Sequence, residues 1–537
     1  MGKLSGKSMI GFSEGSSEGD VFFAFNPKTG EHLSSPFYSA RLDEVDAAAR
    51  LADEAFAIYG HASGHEKALF LRKCAANIEA IAAEIIEAAE QETALSKARL
   101  QSETARTCGQ LRLFAQVVED GSWTMARIDR AEADRKPIPK PDIRSMLRPL
   151  GPVAVFGASN FPLAFSVAGG DAASALAAGN PVIVKAHPAH PATSELVGRA
   201  MQDAVRECNL PEGVFSLLFD AGHQVGVALI KHPLVKAAGF TGSGKAGRIL
   251  MDVAAARPEP IPFFAEMGST NPVFILPGAL RERADSIATG LHGSFTVGAG
   301  QFCTKPGMIF VPEIANTANF VETLRQSVKG TKPFHLLTGA IQGSFNRGLD
   351  ARKSKQHVKL LAEANSGEQC SVGAALFETD AQSFLNDAEL SAEIFGPATL
   401  LVRHSTREEI LQAARNLEGH LTATIHGTEQ DLRDFSDLVA ILERKVGRLL
   451  FNAFPTGLEV CHAVVHGGPY PATSDGRSTS VGSGAIFRFA RPLCYQGFPE
   501  DALPDELKDA NPLHIWRMVD GQMTREPVQS RELKVAG

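Results

Sequence analysis

Cysteine is scarce in this chain, and its sparse spacing limits the kinds of site that the protein can contain. Seven of the 537 residues are cysteines, an odd number, and none of them stand in the C-x-x-C spacing that is typical of metal sites. Free thiols in such numbers are typical of a protein in a reducing compartment. We therefore expect no metal site, and each thiol is there either for packing or for chemistry.

Long apolar segments and blocks of basic residues are also missing. The N-terminal segment carries charge but no apolar core long enough for a signal peptide. Residues 151–184 contain a single charge, Asp171, but prolines, glycines and asparagines interrupt them, which favours buried strands and tight turns over a membrane-spanning helix. The net charge of −8 includes no basic block, which argues against nucleic-acid binding. We expect a cytoplasmic protein that binds neither membranes nor nucleic acids.

The distribution of proline and glycine predicts several lobes with α/β structure. A chain of this length exceeds the roughly 250–300 residues that one hydrophobic core can organise. Residues 42–120 contain no proline and are rich in Ala, Glu, Leu and Arg, which predicts several amphipathic helices. One of them should start at Ser63, with Glu66 completing a capping box. From Leu150 onward, short apolar runs alternate with helical segments, a pattern that predicts a doubly wound parallel sheet.

Individual elements of this pattern can be assigned. The segments PVAVFG, NPVIVKA, GVFSLLF and KAAGFTG predict buried strands, and SVAGGDAASALAAG, HPATSELVGRAMQDAVREC and SGKAGRILMDVAAA predict the helices between them. A second α/β series begins at NPVFILPG and includes PATLLVR and LTATIHG. Residues 121–150 differ from both series, because their charges and prolines make them too polar for a core.

Residues 239–247, GFTGSGKAG, contain two overlapping phosphate-loop patterns. The motif G-x-x-x-x-G-K of nucleoside-triphosphate loops requires Ser or Thr next, and Ala246 occupies that position. The other pattern, G-x-G-x-x-G at Gly242, Gly244 and Gly247, lies between a predicted strand and helix, where backbone amides face a pyrophosphate. The acidic residue expected about 20 positions later is displaced. A glycine turn that only packs the helix on the strand remains the alternative.

Three polar residues in apolar surroundings are candidates for chemistry. Glu266, within PFFAEMG, is either a satisfied core acid or a base whose burial raises its pKa. Asn160, within FGASNFP, follows a predicted strand at the sheet edge where such folds bind ligands, and is otherwise a turn asparagine. Cys303, within GQFCTKPG, is either a packing residue or a nucleophile. Taken singly, none of the three decides between chemistry and structure.

Six segments in order carry a resemblance to a known family: FGASNFP, GNPVIVKAHPAHPATS, GFTGSGKAG, EMGSTNP, GQFCTKPG and EIFGP. Over residues 24–499 the chain resembles the aldehyde dehydrogenase superfamily. It departs from the usual pattern at Ser159, where many members have tryptophan, at EMGSTNP, which replaces E-L-G-G-K, and in a slightly longer interval from Glu266 to Cys303. These departures and residues 466–499 are similar to one branch, the α-ketoglutaric semialdehyde (2,5-dioxopentanoate) dehydrogenases, whose near relatives are NADP-dependent fatty aldehyde dehydrogenases.

The resemblance implies roles for the three candidates. Cys303 would attack the aldehyde carbon, Asn160 and the Cys303 backbone N–H would stabilise the oxyanion, and Glu266 would activate the water that hydrolyses the thioester. The expected cofactor is NADP, as a preference that does not exclude NAD. Its expected contacts are Lys185, His187, Pro188, Thr241, Gly242, Ser243, Gly268, Glu393 and Phe395. The expected substrate pocket consists of Phe161, Gln301, Phe302 and Thr304.

Pro188 is the residue that favours NADP. Members of the family that prefer NAD commonly carry glutamate three residues after the lysine matching Lys185, and this carboxylate would repel a 2′-phosphate. Pro188 removes the repulsion, and a protonated His187 would add attraction unless it points to solvent. Lys305 and Arg477 would either face a distal carboxylate of the substrate or be solvated charges, which is commoner for each.

The resemblance also implies two doubly wound α/β domains, for cofactor binding and catalysis, with a small β flap for oligomerisation. The predicted boundaries are 1–120 and 150–268 for the cofactor-binding domain, 269–480 for the catalytic domain, 121–149 and 481–500 for the flap, and 501–537 for a C-terminal extension. The flap would pair with another subunit's sheet edge in a homodimer, or alternatively a homotetramer.

The expected reaction is the NADP-dependent oxidation of 2,5-dioxopentanoate to 2-oxoglutarate through a cysteine thiohemiacetal and thioester. Three alternatives stay open at this point. They are a long-chain fatty aldehyde dehydrogenase, a dehydrogenase that transfers hydride without covalent catalysis, and a non-enzymatic binding protein on the same fold.

Overall fold

Helices make up most of residues 42–120, and strands alternate with helices from residue 150 onward. The computed structural model describes residues 4–528. The α-helices are, in chain order, α1 (Leu42–Tyr59), α2 (Gly64–Ala80), α3 (Ala82–Thr93), α4 (Lys97–Asp120), α5 (Gly170–Ala178), α6 (Pro191–Glu207), α7 (Gln224–Lys231), α8 (Gly244–Ala255), α9 (Pro277–Thr296), α10 (Thr317–Lys329), α11 (Gly339–Lys353), α12 (Ala381–Asn386), α13 (Arg407–Asn416), α14 (Glu429–Asp434) and α15 (Ser436–Leu442).

The strands are short, as expected for sheets that are buried on both faces. They are β1 (Met9–Ile10), β2 (Ser13–Glu14), β3 (Val21–Asn26), β4 (Glu31–Tyr38), β5 (Arg127–Asp129), β6 (Ile143–Pro149), β7 (Val153–Phe156), β8 (Val182–Lys185), β9 (Phe215–Leu218), β10 (Ala237–Thr241), β11 (Phe263–Glu266), β12 (Val273–Ile275), β13 (Met308–Pro312), β14 (Phe334–His335), β15 (Lys359–Glu363), β16 (Ser371–Val372), β17 (Ala375–Asp380), β18 (Ala398–His404), β19 (His420–His426), β20 (Val446–Phe451), β21 (Ala490–Gln496), β22 (Arg517–Val519) and β23 (Gln522–Thr524).

The first large sheet has seven strands in the order β11-β10-β7-β8-β9-β1-β2. Strands β7 to β11 run parallel, and β1 joins β9 antiparallel. Alternate residues of β7 face different helical layers, since Val153 and Val155 join the core with α2, α4, α5 and α6, whereas Ala154 and Phe156 join the core with α1, α7 and α8. Helices cover both faces, which confirms the predicted doubly wound sheet and explains the uninterrupted apolar runs.

The helices before the first sheet form as the sequence predicts. Ser63 precedes α2, and its Oγ accepts a hydrogen bond from the Glu66 N–H, while the Glu66 carboxylate accepts one from the Ser63 N–H. This capping box satisfies two N–H groups that the helix itself leaves free. The buried sides of α2 and α4 pack on α5 and α6, and these two helices lie on the sheet.

The second large sheet has the order β15-β17-β18-β13-β12-β19-β20, and all its pairs are parallel except β15 with β17. The segments NPVFILPG, PATLLVR and LTATIHG provide β12, β18 and β19, as predicted. Helices α9 and α10 cover one face, and α11, α12, α13 and α15 cover the other. The chain therefore has two α/β units whose sheets each build their own core.

A third sheet, in the order β21-β6-β5-β22-β23, contains strands from residues 121–149, from residues 481–500 and from the C-terminal part of the chain. Strand β21 pairs antiparallel with β6 over its whole length, from Ala490 opposite Pro149 to Gln496 opposite Ile143. The predicted flap and the predicted C-terminal extension thus share one sheet, although residues 529–537 lie outside the described part.

The segment 151–184, which has the hydropathy of a membrane span, forms β7, α5, β8 and the turns between them. Within residues 4–528, no helix combines the length and apolar character needed to cross a membrane.

Candidate active site

Several candidate residues lie at the carboxyl ends of parallel strands in the first sheet. Asn160 follows β7, Lys185 ends β8, Thr241 ends β10 and Glu266 ends β11. These four strands are neighbours, so their carboxyl ends form one continuous edge, the usual ligand-binding edge of a doubly wound sheet. The cysteine loop, residues 297–307, faces this edge from the second α/β unit, between α9 and β13.

The cysteine loop is held in place by two buried asparagines. The Asn160 side-chain amide donates a hydrogen bond to the Gln301 carbonyl at 2.9 Å. The Asn271 side-chain amide donates to the carbonyls of Cys303 and Lys305, at 2.8 and 3.0 Å. Asn271 is the asparagine of EMGSTNP and has a left-handed φ of 46°, which asparagine tolerates better than most residues. This segment therefore fixes the backbone that carries the thiol.

A histidine that the sequence analysis did not single out lies between the thiol and the carboxylate. The His466 Nε2 atom is 3.4 Å from Cys303 Sγ and 3.0 Å from Glu266 Oε1. The side chains of His466 and Glu266 are almost fully buried, at 2% and 3% exposure. The Ser480 hydroxyl donates to the other carboxylate oxygen of Glu266 at 2.9 Å. The Ser480 hydroxyl, and His466 Nε2 when it carries a hydrogen, therefore replace the water that a buried carboxylate loses.

These donors determine the charge of Glu266. Burial alone would raise the pKa of Glu266, but the positive charge of His466 and the hydrogen bonds from His466 and Ser480 lower this pKa below its ordinary value. Of the two alternatives from the sequence, a base with a raised pKa is therefore wrong, because the hydrogen bonds and the charge of His466 outweigh the effect of burial. A carboxylate that stays ionised at neutral pH is ready to accept a proton.

The Cys303 thiol has the opposite tendency. Burial and the negative charge of Glu266 raise the pKa of Cys303 well above that of a free cysteine. The resting group is therefore a thiol at neutral pH, and attack on a carbonyl requires a partner that takes its proton. His466 Nε2 faces both groups: when protonated it donates to Glu266, and when unprotonated it accepts the thiol proton.

The same three side chains have a spacing that would suit a metal ion. The ligand atoms of Glu266, Cys303 and His466 all lie within 4.8 Å of one another. The spacing of cysteines in the sequence gives no information on this grouping, because its three members are far apart along the chain. The expectation that the protein has no metal site stays a prediction.

Two hydrogen-bond donors remain available beside the thiol. An asparagine amide has two hydrogens, and Asn160 uses one of them for the Gln301 carbonyl. The Cys303 backbone N–H has no acceptor among the residues that the structure describes. The guanidinium of Arg99 fixes the backbone of Asn160 by donating to its carbonyl oxygen at 2.7 Å. These two donors can together stabilise a negative oxygen on a carbon atom that is bonded to the sulfur.

The glycine loop before α8 combines the two explanations that the sequence left open. Ser243 is the N-cap of α8, and its Oγ accepts a hydrogen bond from the Ala246 N–H at 3.3 Å. Gly242, Ser243 and Gly244 are exposed, so the amides at the start of this 12-residue helix are open to a phosphate. Gly247 serves packing, because a Cβ there would lie 2.8 Å from the Met267 side chain.

The turn after β8 has a neutral histidine. The Lys185 ammonium donates to the Asp220 carbonyl at 3.0 Å, and burial lowers the pKa of Lys185. His187 Nδ1 accepts a hydrogen bond from the Ala189 N–H, while burial and nearby basic side chains lower the pKa of His187 well below its ordinary value. The expectation that a protonated His187 attracts a phosphate is therefore wrong. The uncharged, half-buried Pro188 follows it, as the sequence shows.

Lys305 is neither solvated nor aimed at a substrate, which corrects both possibilities from the sequence. Its side chain is buried at 1% exposure, and its ammonium donates to the Ile394 and Ala398 carbonyls at 2.9 Å each. Lys305 thereby ties the cysteine loop to the segment EIFGP. Arg477, whose side chain is 90% exposed, pairs with Asp475 and is a solvated charge.

Glu393 lies close to the end of β11. A Cβ on Gly268 would stand 2.3 Å from the Glu393 carboxylate, so glycine allows the two residues to approach each other this closely. Burial raises the pKa of Glu393 to about 7, although the charge of Lys305 opposes the rise. Phe395 is half-buried in the same segment. The exposed amides at the start of α8 are the part of this site that fits the pyrophosphate of a dinucleotide.

Aromatic rings line the approach to the cysteine loop. The Phe161 ring contacts those of Phe302 and Phe165, with centroids 5.2 and 5.3 Å apart. Gln301 and Thr304 are buried, and the Gln301 side-chain carbonyl accepts a hydrogen bond from the Leu337 N–H. The assignment of all four residues to the substrate pocket stays a prediction, and the two phenylalanines are the ones that form this aromatic cluster.

Comparisons with known proteins identify relatives of nearly full length. A model of the aldehyde dehydrogenase family matches residues 13–468. Alpha-ketoglutaric semialdehyde dehydrogenase 2 of Azospirillum brasilense is 47% identical over 523 residues, which cover 97% of this chain and 99% of that protein. Alpha-ketoglutaric semialdehyde dehydrogenase of Acinetobacter baylyi is 45% identical over 527 residues, which cover 98% and 100%.

Solved structures share the fold at much lower identity. The gamma-glutamyl-gamma-aminobutyraldehyde dehydrogenase from Burkholderia cenocepacia has a TM-score of 0.79 at 19% identity, over 92% of this chain and 97% of that chain. An NAD⁺ complex of an aldehyde dehydrogenase from Bacillus cereus has a TM-score of 0.78 at 20% identity, over 91% and 96%. At this identity the likeness extends to the fold alone.

Proposed function

Because this chain belongs to the aldehyde dehydrogenase family and is thus an aldehyde-oxidising oxidoreductase, we propose that it oxidises 2,5-dioxopentanoate to 2-oxoglutarate with NADP⁺. The observation that carries the chemistry is the contact of His466 with both Cys303 and Glu266, at 3.4 and 3.0 Å. The likeness to two α-ketoglutaric semialdehyde dehydrogenases over nearly full length supports the substrate.

The first step is attack by sulfur. The Cys303 thiol gives its proton to His466 Nε2, and the thiolate forms a bond to the aldehyde carbon. The carbonyl oxygen becomes an oxyanion, which the free amide hydrogen of Asn160 and the Cys303 N–H stabilise. Loss of one such donor typically reduces the rate by about 10²–10³.

The second half of the reaction releases the acid. A bound NADP⁺ would supply the hydride acceptor that the conversion of the thiohemiacetal on Cys303 into a thioester requires. Glu266 then takes a proton from the water that attacks the thioester, and the carboxylate product leaves as the sulfur is released. A cavity of about 10 Å³ beside Glu266, His466 and Ser480 has about the volume that one water needs.

For the cofactor, the proposed contacts follow the exposed start of α8 and the two segments beside it. The amides at Gly242 and Ser243 would hold the pyrophosphate, Lys185 and Glu393 the two riboses, and Phe395 would lie beside the nicotinamide. The exposed glycine loop, and the position of Glu393 next to Gly268 at the end of β11, support this assignment.

Cofactor preference can be tested at Pro188. The Pro188→Glu variant should lose at least about tenfold in kcat/KM for NADP⁺, because a carboxylate some 4 Å from the 2′-phosphate repels it by roughly 4 kcal/mol per unit charge at an effective dielectric of 20. The measurement is kcat/KM for NADP⁺ and NAD⁺ at one aldehyde concentration. Pro188→Gln, similar in size to glutamate but uncharged, is the control. A wild-type preference for NAD⁺, or a glutamate variant that uses NADP⁺ unchanged, would contradict the assignment.

The substrate can be tested with a panel of aldehydes under one assay. It should contain 2,5-dioxopentanoate, the semialdehydes of succinic and glutaric acid, and hexanal to dodecanal. We expect the highest kcat/KM for a short semialdehyde with a carboxylate. The phenylalanine-lined approach is the observation that favours fatty aldehydes as the second candidate. If decanal exceeds every carboxylated aldehyde in kcat/KM, that candidate replaces the first.

For the assembly, the proposal is a homodimer formed through sheet edges, with a homotetramer as the alternative. Strand β21 ends the third sheet and β20 ends the second, and within residues 4–528 each has a neighbour on one side only. An edge strand presents unpaired N–H and C=O groups that can pair with another chain. These two edges support the oligomerisation role of the flap.

A further inference from the structure

Two arginines of α4 lie against the aromatic rings beside the cysteine loop. The Arg99 guanidinium carbon is 4.8 Å from the Phe161 ring centroid and 4.5 Å from that of Phe302. The Arg106 guanidinium carbon is 5.7 Å from the Phe161 centroid and 5.1 Å from that of Phe165. Both cations therefore flank one aromatic cluster, which includes the residue just before the nucleophile.

The two arginines share a face of the helix. Seven residues correspond to nearly two turns of an α-helix, so the two side chains project from the same side, about 10 Å apart along the axis. A third arginine of this helix, Arg112, is exposed and uses both terminal nitrogens for the Glu79 carboxylate. Its surroundings show what an ordinary surface arginine on α4 does.

The guanidinium groups at the cluster, by contrast, have unused donors. Arg99 gives one terminal nitrogen to the Asn160 carbonyl, and its other terminal nitrogen is buried without a hydrogen-bond partner, close to Gly298. Arg106 makes no hydrogen bond or ion pair within residues 4–528, and its Nε is buried. Burial lowers the pKa of both groups, yet arginine keeps its charge in proteins. Buried donors without a hydrogen-bond partner are costly, so these donors suit a ligand.

The neighbouring charged residues do not satisfy this need. Glu103 is 3.9 Å from Arg99, but one of its carboxylate oxygens already accepts hydrogen bonds from the N–H groups of Leu163 and Ala164. Burial raises the pKa of Glu103, and the charge of Arg99 opposes the rise. Arg448 adds positive charge nearby, while its terminal nitrogens hold backbone carbonyls of the loop after β20. Glu266 and Glu459 also act on the charge of Arg106, but among the described residues neither forms a salt bridge with it, so its donors stay available to a ligand.

We propose that Arg106, with Arg99 beside it, binds the carboxylate at the end of the substrate remote from the aldehyde. Selection of dicarboxylic semialdehydes over uncharged aldehydes follows from this pocket, and the inference rests on the proposed oxidation at Cys303. An extended five-carbon chain separates its terminal carbons by roughly 5 Å. Its methylene groups would pack on the Phe161 and Phe302 rings. The centroids of these rings lie 4.5 to 5.7 Å from the guanidinium carbons, a distance similar to the length of the chain.

The chemistry of the pocket favours a carboxylate over a fatty chain. A planar guanidinium can donate two parallel hydrogen bonds to one carboxylate, and such charged pairs are stronger than neutral hydrogen bonds. A long alkyl chain in the same place would leave the buried donors of Arg99 and Arg106 unsatisfied. The positive charge of Arg106 also opposes the rise in the pKa of Cys303, so the cation lies near enough to act on the reacting sulfur.

The test compares two aldehydes of five carbons, 2,5-dioxopentanoate and pentanal, at saturating NADP⁺. The ratio of their kcat/KM values should fall by roughly 10- to 100-fold in Arg106→Met, mainly through the KM for 2,5-dioxopentanoate, because a charged hydrogen bond is lost. Arg106→Lys, which keeps the charge but not the planar fork, should give an intermediate ratio. Arg112→Met, on the same helix, is the matched control and should keep the wild-type ratio.

The outcomes separate this inference from the proposed function. A wild-type enzyme that prefers pentanal overturns the proposed substrate. A wild-type preference for 2,5-dioxopentanoate that persists in Arg106→Met, with an unchanged melting temperature, overturns the role of Arg106. An equal fall in Arg112→Met also overturns it, because general electrostatic attraction would then be the cause. If Arg106→Met does not fold, Arg106→Gln decides by the same ratio.

Discussion

Replacing Cys303 by alanine should abolish aldehyde oxidation and leave cofactor binding largely intact. In the proposed mechanism the sulfur of Cys303 attacks the aldehyde, and alanine removes this sulfur, which lies 3.4 Å from His466. We expect turnover to fall by at least roughly a thousandfold, as is usual when the nucleophile of a covalent mechanism is lost. The measurements are the absorbance of reduced cofactor during turnover and calorimetric titration of NADP⁺.

A second cysteine provides the control for this experiment. Cys208 is a half-buried free thiol directly after α6, outside the site and the flap, and Cys208→Ala should keep wild-type turnover. Turnover of Cys303→Ala within tenfold of the wild type would contradict covalent catalysis. Hydride transfer directly from the aldehyde hydrate would then become the better mechanism, and Cys303 would be a packing residue.

Most of the fold could be predicted because its signals are local. The strands β7 to β10 are buried on both faces, so each appears as an uninterrupted apolar run, and glycine, asparagine or proline marks the turns around them. The capping box at Ser63 is equally local, since both of its partners lie within one helical turn. The third sheet is harder to predict from the sequence, because its strands come from three distant parts of the chain. Strand β22, which starts at Arg517, pairs with β5 nearly 400 residues earlier.

The site was predicted less completely than the fold. Cys303, Glu266 and Asn160 stand in recognisable segments, but His466 reaches Glu266 across 200 residues of sequence, and no local pattern encodes that contact. The only signal was its place at the start of HGGPYP, in the segment that sets this chain apart from most of the family. A raised pKa of Glu266 is wrong for the same reason. The apolar residues around Glu266 are its neighbours in sequence, whereas His466 and Ser480, which lower its pKa, are far along the chain.

Basic residues show a similar limit. Lys305 stands two residues from the nucleophile and invites a role with substrate, yet its ammonium turns away to backbone carbonyls. Arg99 and Arg106 lie in a segment whose composition predicts only a helix. A helical pattern indicates which side chains share a face, but what that face contacts depends on the packing of the whole protein.

Glu266→Gln should separate the two halves of the reaction. Glutamine keeps the size of the side chain and can still accept the hydrogen bond from His466, but its amide cannot take a proton from water. We expect a burst of reduced cofactor close to one equivalent per active site, followed by a steady state slower by about 10²–10⁴. Stopped-flow absorbance followed by acid quench should detect the thioester on Cys303.

Ser480→Ala is the matched control for this burst, because it removes one donor to Glu266 and keeps the carboxylate and its contact with His466. Its steady state should fall by much less, and no burst should appear. The lowered pKa of wild-type Glu266 adds a condition: hydrolysis should stay fast at neutral pH and decline only as the pH falls below the ordinary carboxyl range, where Glu266 becomes protonated. A Glu266→Gln enzyme with neither burst nor turnover would place Glu266 before hydride transfer, at the deprotonation of Cys303 through His466. Full steady-state activity would instead make Glu266 a buried structural acid.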